Sequence, residues 1–214
     1  MAEVSTSRLL VCEACPRLVA LRAEVRARHP DYHAAPVPAW GRRDARLLIV
    51  GLAPGMHGAN RTGRPFTGDA SGVFLFAGLH RAGFATAARA EQARLIGTRI
   101  TNAVKCLPPG NRPIASEIAH CGVYLAAEIA TLRGHRPRRP RAILCLGRLA
   151  HEAVARVLPE RVPDFEHGAL TAVAANVFLA DTYHPSRQNT QTGRLTTPML
   201  DAVLRRVRRC LDGG

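Results

Sequence analysis

Four side chains that could do chemistry stand at or just beyond short apolar runs of the sequence: Phe66, Asp69, Asn102 and His184. The asparagine amide offers a hydrogen-bond donor and an acceptor, and the histidine ring can bond to an oxygen that gains negative charge. The aspartate can stabilise positive charge, and the phenylalanine supplies a flat face for stacking. Together these residue types suit a planar, base-like ligand in which charge separates as a bond breaks.

The long loop Gly51–Gly72 carries two of these residues. It reads GLAPGMHGANRTGRPFTGDASG and has six glycines in 22 residues, so a ligand could approach its main chain closely. Asp69 is its one acid, and Arg61 and Arg64 add positive charge. A phosphate-cradling glycine loop is the alternative, but the segment matches neither GxGxxG nor the GxxxxGK pattern.

Apolar runs predict the elements that would position these residues. Strands are expected at Arg46–Val50, Arg99–Lys105, Ala142–Leu146 and Val177–Thr182. Helices are expected at residues 5–28, Val73–Gly83 with Ser71 as its N-cap, Ser116–Leu132, Arg148–Val157 and Pro198–Leu211. Alternating strands and helices indicate an α/β fold with a parallel sheet between helices. The carboxyl ends of parallel strands share one edge of the sheet, so the four side chains should converge there.

The six cysteines suggest a metal site. Cys12 and Cys15 form a CxxC motif, and 14 residues separate Cys106 from Cys121. Four thiolates of this kind can ligate zinc or an iron–sulfur cluster, while a redox-active CxxC pair is the main alternative. Cys145 lies within the apolar run AILCLG and is interpreted as a core residue.

Net charge is the strongest global indication of a partner. Thirty basic residues against 16 acidic ones give a formal charge of +14, which favours contact with nucleic acid over a merely solvated basic surface. The basic run Arg133–Arg141 contains two prolines and a glycine, so a loop is expected there. Arg136, Arg138, Arg139 and Arg141 would either contact phosphates or stay solvated.

Length and hydropathy predict one domain spanning residues 1–214. No apolar run reaches the roughly 18 residues that a membrane helix needs, and the N-terminus lacks the layout of a signal peptide. The expected protein is cytoplasmic and associated with the nucleoid.

Three motifs resemble those of the family 5 uracil-DNA glycosylases, the B-type enzymes that carry a [4Fe-4S] cluster. They are the glycine loop, TNAVKCLPPGNRP and HPSRQNTQTGRLT, and with the cysteines the resemblance spans Cys12 to about Thr197. It implies a three-layer αβα sandwich around a mainly parallel four-stranded sheet. The implied activity is that of a monofunctional glycosylase of base excision repair, which flips uracil out of DNA and hydrolyses its N-glycosidic bond. The resemblance also implies activity on deaminated purines such as hypoxanthine.

The resemblance implies roles for matching residues. Asp69, His184 and Asn102 would be catalytic, with Asp69 stabilising the cationic sugar and His184 the departing base. The base would be held by Gly51, Leu52, Ala53, Pro54, Gly55, Phe66, Asn102 and His184. DNA would be contacted by His57, Asn60, Arg61, Arg64, Lys105, Ser186, Arg187, Gln188, Asn189 and Arg194. A structural [4Fe-4S] cluster, without a redox step, would be held by Cys12, Cys15, Cys106 and Cys121.

The implied partner is double-stranded DNA with deaminated bases, single-stranded DNA being a further candidate, and the enzyme is expected to be a monomer. One position departs from the related family 4 pattern GEAPG, because Leu52 replaces its glutamate. A mechanism that needs a carboxylate at that position is therefore excluded.

The alternatives come from other classes. One is a DNA-binding module that keeps the cluster but has lost catalysis. A relative that traps uracil-DNA covalently would need a histidine in Gln188–Thr197, which has none. A small-molecule α/β hydrolase would need a nucleophile elbow, which the sequence lacks.

Overall fold

The computed structural model describes residues 6–134 and 139–213. Its helices are α1 (Thr6–Leu10), α2 (Pro16–Arg28), α3 (Ala59–Thr62), α4 (Ala70–Arg81), α5 (Ala115–Gly134), α6 (Arg148–Val157), α7 (Arg187–Gln191) and α8 (Thr197–Asp212). Its strands are β1 (Trp40–Gly41), β2 (Leu47–Gly51), β3 (Thr98–Asn102), β4 (Arg141–Leu146), β5 (Leu170–Ala174) and β6 (Val177–Thr182).

The strands form one sheet in the order β1-β3-β2-β4-β6-β5. The four central strands are parallel and correspond to the four predicted from the sequence. β1 and β5 were not predicted, and each pairs antiparallel at one edge, with β3 and β6 respectively. The sheet is therefore mixed and six-stranded, with a parallel centre.

Alternation along β2 shows how the sheet acquires two apolar faces. Leu47 and Ile49 belong to a core cluster with residues of α4 and α8, whereas Leu48 and Val50 belong to one with residues of α5 and α6. Successive side chains of a strand point to opposite faces. The helices consequently form one layer on each side, which confirms the predicted αβα sandwich.

Two expectations about connecting segments are wrong. The N-terminal helix is interrupted between α1 and α2, because Pro16 has no amide hydrogen and so begins a new helix. Arg141 is the first residue of β4 and is only 2% exposed, so it does not present a phosphate-binding side chain. Arg136 and Arg138, from the same basic run, lie outside the described residues.

No helix in the described part of the chain combines the length and apolar character needed to cross a lipid bilayer.

Candidate active site and four-cysteine site

A cavity of about 770 Å³ opens at the carboxyl ends of the central strands. Four segments of the chain contribute to its walls: the loop after β2, the end of β3, the turn after β4 and the segment after β6. Phe66, Asp69, Asn102 and His184 all line it. The structure thus brings together the four side chains on which the sequence analysis relied, and we call this space the main cavity.

Gly51 determines how closely two of these side chains pack. It stands opposite Asn102 in the β2–β3 register. A Cβ atom at Gly51 would lie 2.5 Å from Oδ1 of Asn102 and 2.6 Å from the ring of Phe66, which is closer than real Cβ contacts allow. Glycine is therefore required at this strand end for the amide and the ring to occupy their places.

Asp69 caps helix α4 and also faces the main cavity. Its Oδ1 accepts a hydrogen bond of 2.9 Å from the amide of Gly72, and the helix N-terminus favours a negative charge there. A Cβ atom on Gly58 would lie 2.1 Å from Oδ2, whereas one on Gly55 would lie 3.5 Å from it. The prediction of Ser71 as the N-cap is wrong, because the cap lies two residues earlier.

His184 follows β6 and lies near Phe66, with 5.9 Å between the ring centroids and an angle of 40° between the planes. Gly147 lies against it, since a Cβ atom on that glycine would be 3.1 Å from the Cβ of His184. The side-chain amide of Asn189 donates a 2.8 Å hydrogen bond to the His184 carbonyl. Burial lowers the pKa of the His184 ring to about 4.

The lowered pKa of His184 leads to a prediction about pH. The neutral ring is favoured above pH 4, and a proton is gained only as the pH falls toward that value. The ratio of single-turnover rates for the unchanged protein and a His184→Asn variant should therefore stay constant from about pH 6 to pH 8. A ratio that changes with a midpoint near the ordinary histidine pKa of roughly 6.5 would contradict this protonation state.

The segment after His184 forms part of the cavity rim. The Ser186 hydroxyl caps α7 by accepting a hydrogen bond of 3.3 Å from the main-chain amide of Asn189. Ser186, Arg187, Gln188 and Asn189 line the main cavity, and Arg187 and Gln188 are exposed. These predicted DNA-contact residues thus lie at the wall of the main cavity.

Four other residues predicted to contact DNA are exposed, and each makes a contact within the protein. His57 Nδ1 lies 2.8 Å from the Tyr32 hydroxyl. The Arg61 Nε donates a 2.8 Å hydrogen bond to the carbonyl of His57. The guanidinium groups of Arg64 and Arg194 lie over the rings of Trp40 and Tyr183, 5.6 and 4.8 Å from the ring centroids.

The structure contradicts DNA contact by Asn60 and Lys105, because both side chains are 0% exposed. Asn60 lies in the short helix α3, and the Lys105 ammonium is bound by groups inside the protein. Two predicted base-contact residues, Gly51 and Pro54, are also buried and are not among the residues that line the cavity. Leu52, Ala53 and Gly55 do line it.

Sequence reasoning missed the turn between β4 and α6. Leu146, Gly147, Arg148 and Leu149 line the main cavity. The available signal was the glycine that directly follows a predicted buried strand, at the same sheet edge as the other site residues.

The four predicted ligand cysteines surround a second, much smaller cavity. Cys12 and Cys15 come from the α1–α2 connection, Cys106 follows β3, and Cys121 lies on α5. Burial raises the pKa of the Cys106 thiol to about 12, and burial together with the neighbouring Cys121 raises that of Cys15 to about 11. Thiols with pKa values this high need a cation or metal to ionise near neutral pH.

The spacing of the sulfurs in this four-cysteine site bears on whether it would hold a zinc ion or an iron–sulfur cluster. Within residues 6–134 and 139–213, no three of these sulfurs lie within 4.8 Å of one another. Sulfurs bound tetrahedrally to one zinc ion would be about 3.8 Å apart. Arg22, 9% exposed, directs Nη1 to Cys106 Sγ at 3.7 Å. The spacing therefore fits a group that is larger than a single metal ion, and the guanidinium beside Cys106 favours ionised thiolates.

Another group of ligand-type side chains, Cys145, His151 and Asp181, lies buried near the end of the sheet, with its ligand atoms within 4.8 Å of one another. Cys145 is a core residue, as predicted, with 0% exposure. His151 Nδ1 lies 2.9 Å from the Asp181 carboxylate and its Nε2 lies 2.9 Å from the Pro163 carbonyl. The residue types are compatible with a metal, but both histidine nitrogens already have hydrogen-bond partners.

Most of the chain matches the sequence model of a known protein family. The model of the uracil DNA glycosylase superfamily matches residues 38–208. The chain therefore belongs to the uracil-DNA glycosylase superfamily.

Curated relatives narrow the similarity to one type. The chain is 47% identical over 214 residues to the type-5 uracil-DNA glycosylase of Mycobacterium leprae, covering 93% of this chain and 91% of the relative. It is 43% identical over 217 residues to the type-5 uracil-DNA glycosylase of Thermus thermophilus, covering 97% of both. A type-4 uracil-DNA glycosylase of Pyrobaculum aerophilum is less similar, at 34% identity over 163 residues, 72% of this chain and 74% of that protein. The resemblance to family 5 enzymes is thereby confirmed.

Proposed function

We propose that this chain is a uracil-DNA glycosylase of the type-5 kind, which removes uracil from DNA by hydrolysing the N-glycosidic bond and leaves an abasic site. The superfamily match and the type-5 relatives support the activity. The observation that carries the proposal within the structure is that Phe66, Asp69, Asn102 and His184 come from separate segments and line one cavity. A site of about 770 Å³ is large enough for an everted nucleotide.

The reaction begins when the damaged nucleotide leaves the base stack. This extrusion costs a few kcal/mol and costs least at a mismatch such as U:G. Phe66 then stacks on the base, and the Asn102 amide reads its hydrogen-bonding edge. The tight packing of both groups over Gly51 supports this arrangement, because a preformed slot loses little freedom on binding.

Bond cleavage separates charge between the sugar and the base. Asp69 stabilises the cationic sugar or orients the attacking water, and its placement by Gly72 at the start of α4 supports this role. His184, whose pKa is lowered to about 4, donates as a neutral ring to the base oxygen that gains negative charge. Preorganised groups of this kind usually contribute most to catalysis.

DNA binding rests on the net charge of +14 and on the exposed residues around the main cavity. Arg187 and Gln188, at the start of α7, line the cavity and are exposed. We assign the segment Arg187–Arg194, to which they belong, to the gap left by the extruded nucleotide, because it directly follows the HPS motif. Arg61, Arg64, Arg194 and His57 are assigned to the surrounding phosphates.

A [4Fe-4S] cluster is the proposed occupant of the four-cysteine site. Cys12, Cys15, Cys106 and Cys121 would hold it, and when bound it would supply folding free energy rather than redox chemistry. The sulfur spacing supports a cluster over zinc, and the nearby Arg22 favours ionised thiolates with either occupant. Protein purified without oxygen should contain about four irons per chain, and stoichiometric zinc instead would contradict the assignment.

The finer substrate range is part of the proposal. The main cavity accepts uracil and deaminated purines such as hypoxanthine, in double-stranded and also single-stranded DNA. The chain acts as a monomeric single domain in the cytoplasm, near the nucleoid.

A panel of oligonucleotides tests this function. Duplexes and single strands that carry one uracil, hypoxanthine or xanthine, with an undamaged strand as control, should release free base at rates that are highest for U:G duplex. Absence of uracil release by iron-loaded protein that still binds DNA would favour the catalytically silent DNA-binding module.

A further inference from the structure

Lys105, although predicted to contact DNA, has its ammonium fully engaged inside the protein. Nζ donates to the Thr101 hydroxyl at 2.6 Å, to the Asn102 carbonyl at 2.7 Å and to the Glu128 carboxylate at 2.8 Å. An ammonium has three N–H donors, and these partners use all of them. With 0% exposure, the side chain has no hydrogen left for a phosphate.

The main chain of the same residue belongs to the four-cysteine site. Lys105 directly precedes Cys106 in the chain, and it lines the small cavity among the cysteines together with Cys121. Cys121 and Glu128 both lie on α5 and are two helical turns apart, so they face the same side of the helix. One residue therefore links that face of α5 to the end of β3.

The end of β3 is where the base-reading amide is held. Asn102 is the last residue of this strand, and the next two amides, of Ala103 and Val104, donate to the carbonyls of Gly51 and Leu52. The Asn102 carbonyl receives its hydrogen bond from the Lys105 ammonium instead. The Gly51 carbonyl and the Lys105 ammonium thus hold the two sides of the peptide that joins Asn102 to Ala103, and the lysine helps to fix the main chain that carries the Asn102 side chain.

We propose that Lys105 is a positioning residue, which holds the main chain of Asn102 against helix α5 and so couples base recognition in the main cavity to the four-cysteine site. The proposal rests on the proposed role of Asn102 in binding the base. Removal of the ammonium should loosen the Asn102 amide while leaving the DNA-contact surface intact.

Inhibition by free uracil tests this positioning directly, because the inhibition constant reports binding of the base alone, with no contribution from contacts to the DNA backbone. Lys105→Met keeps the apolar stem and removes the three donors. Its inhibition constant for uracil should rise about tenfold, because a loosened Asn102 side chain must be ordered when the base binds, at a cost of about 1.4 kcal/mol. Affinity for undamaged duplex, iron content and visible absorbance should stay within about twofold, well below a tenfold effect.

A second variant controls for destabilisation, because Lys105→Met leaves the Glu128 carboxylate without its ammonium partner. The double variant Lys105→Met/Glu128→Gln removes both charges and should show the same rise. Arg133→Met is the matched control, because it breaks another ion pair of α5, that with Glu160, outside the two sites. Its inhibition constant should not change.

The outcomes separate this proposal from the proposed function. If Asn102→Ala raises the inhibition constant and the Lys105 variants do not, Lys105 is not a positioning residue. If Asn102→Ala has no effect, the base-binding role of Asn102 itself is wrong. Loss of iron from both Lys105 variants with an unchanged inhibition constant would assign the lysine to the four-cysteine site alone and overturn the coupling.

Discussion

Replacement of Asp69 by asparagine is expected to slow single-turnover release of uracil by at least about 100-fold, the usual effect of removing a preorganised electrostatic group. Asparagine is as good an N-cap as aspartate, so the hydrogen bond from the Gly72 amide and the start of α4 should survive. The substitution therefore removes the charge that faces the main cavity and little else. The rate should be measured with excess enzyme on a U:G duplex, alongside the dissociation constant for that DNA.

Asp201→Asn provides a matched control for this substitution. Asp201 is an acid of α8 whose carboxylate pairs with Arg81 of α4 at 2.8 Å, so its loss also affects α4 but not the main cavity. Its rate should remain near that of the unchanged protein. An unimpaired rate for Asp69→Asn would remove the aspartate from the mechanism.

Gly58→Ala is expected to cause a loss of similar size without altering any polar group. The new Cβ atom would lie 2.1 Å from Oδ2 of Asp69 and 2.8 Å from its Cγ, so the carboxylate would have to rotate out of its place. Gly55→Ala is the matched comparison, because its Cβ atom would lie 3.5 Å from the same oxygen, an ordinary contact. Single-turnover rates should fall about 100-fold for Gly58→Ala and far less for Gly55→Ala.

The double variant Gly58→Ala/Asp69→Asn shows whether the glycine acts through the aspartate. Residues in contact that act as a unit give non-additive effects. The double variant should therefore be about as slow as Asp69→Asn alone. Losses that multiply would mean that Gly58 affects the reaction by another route.

The parallel centre of the sheet could be predicted because buried parallel strands are continuous apolar runs. Runs such as Ala142–Leu146 stand out without any knowledge of neighbouring elements. β1 and β5 could not be found in this way. β1 has two residues, and most of β5 is half-buried on both faces, so neither has a strong hydrophobic period.

The main cavity was predictable to the same extent as the strands that end there. The rule that parallel strands share a carboxyl edge brought Asp69, Asn102 and His184 together without coordinates. The burial of Lys105 could not be read from the sequence, since lysines are almost never fully buried unless paired. Its partner Glu128 comes 23 residues later on another element, and only the tertiary fold determines that pairing.

The two edge strands affect how this sheet meets other chains. A strand at the edge of a sheet offers unpaired amides and carbonyls to any extended segment nearby. Of the two edge strands here, β1 is only two residues long, and β5 is irregular, with a shift of register between Ala172 and Ala174. Short or bulged edge strands are poor templates for the addition of a further strand. Edge-to-edge pairing of this sheet with another molecule is therefore disfavoured on both sides.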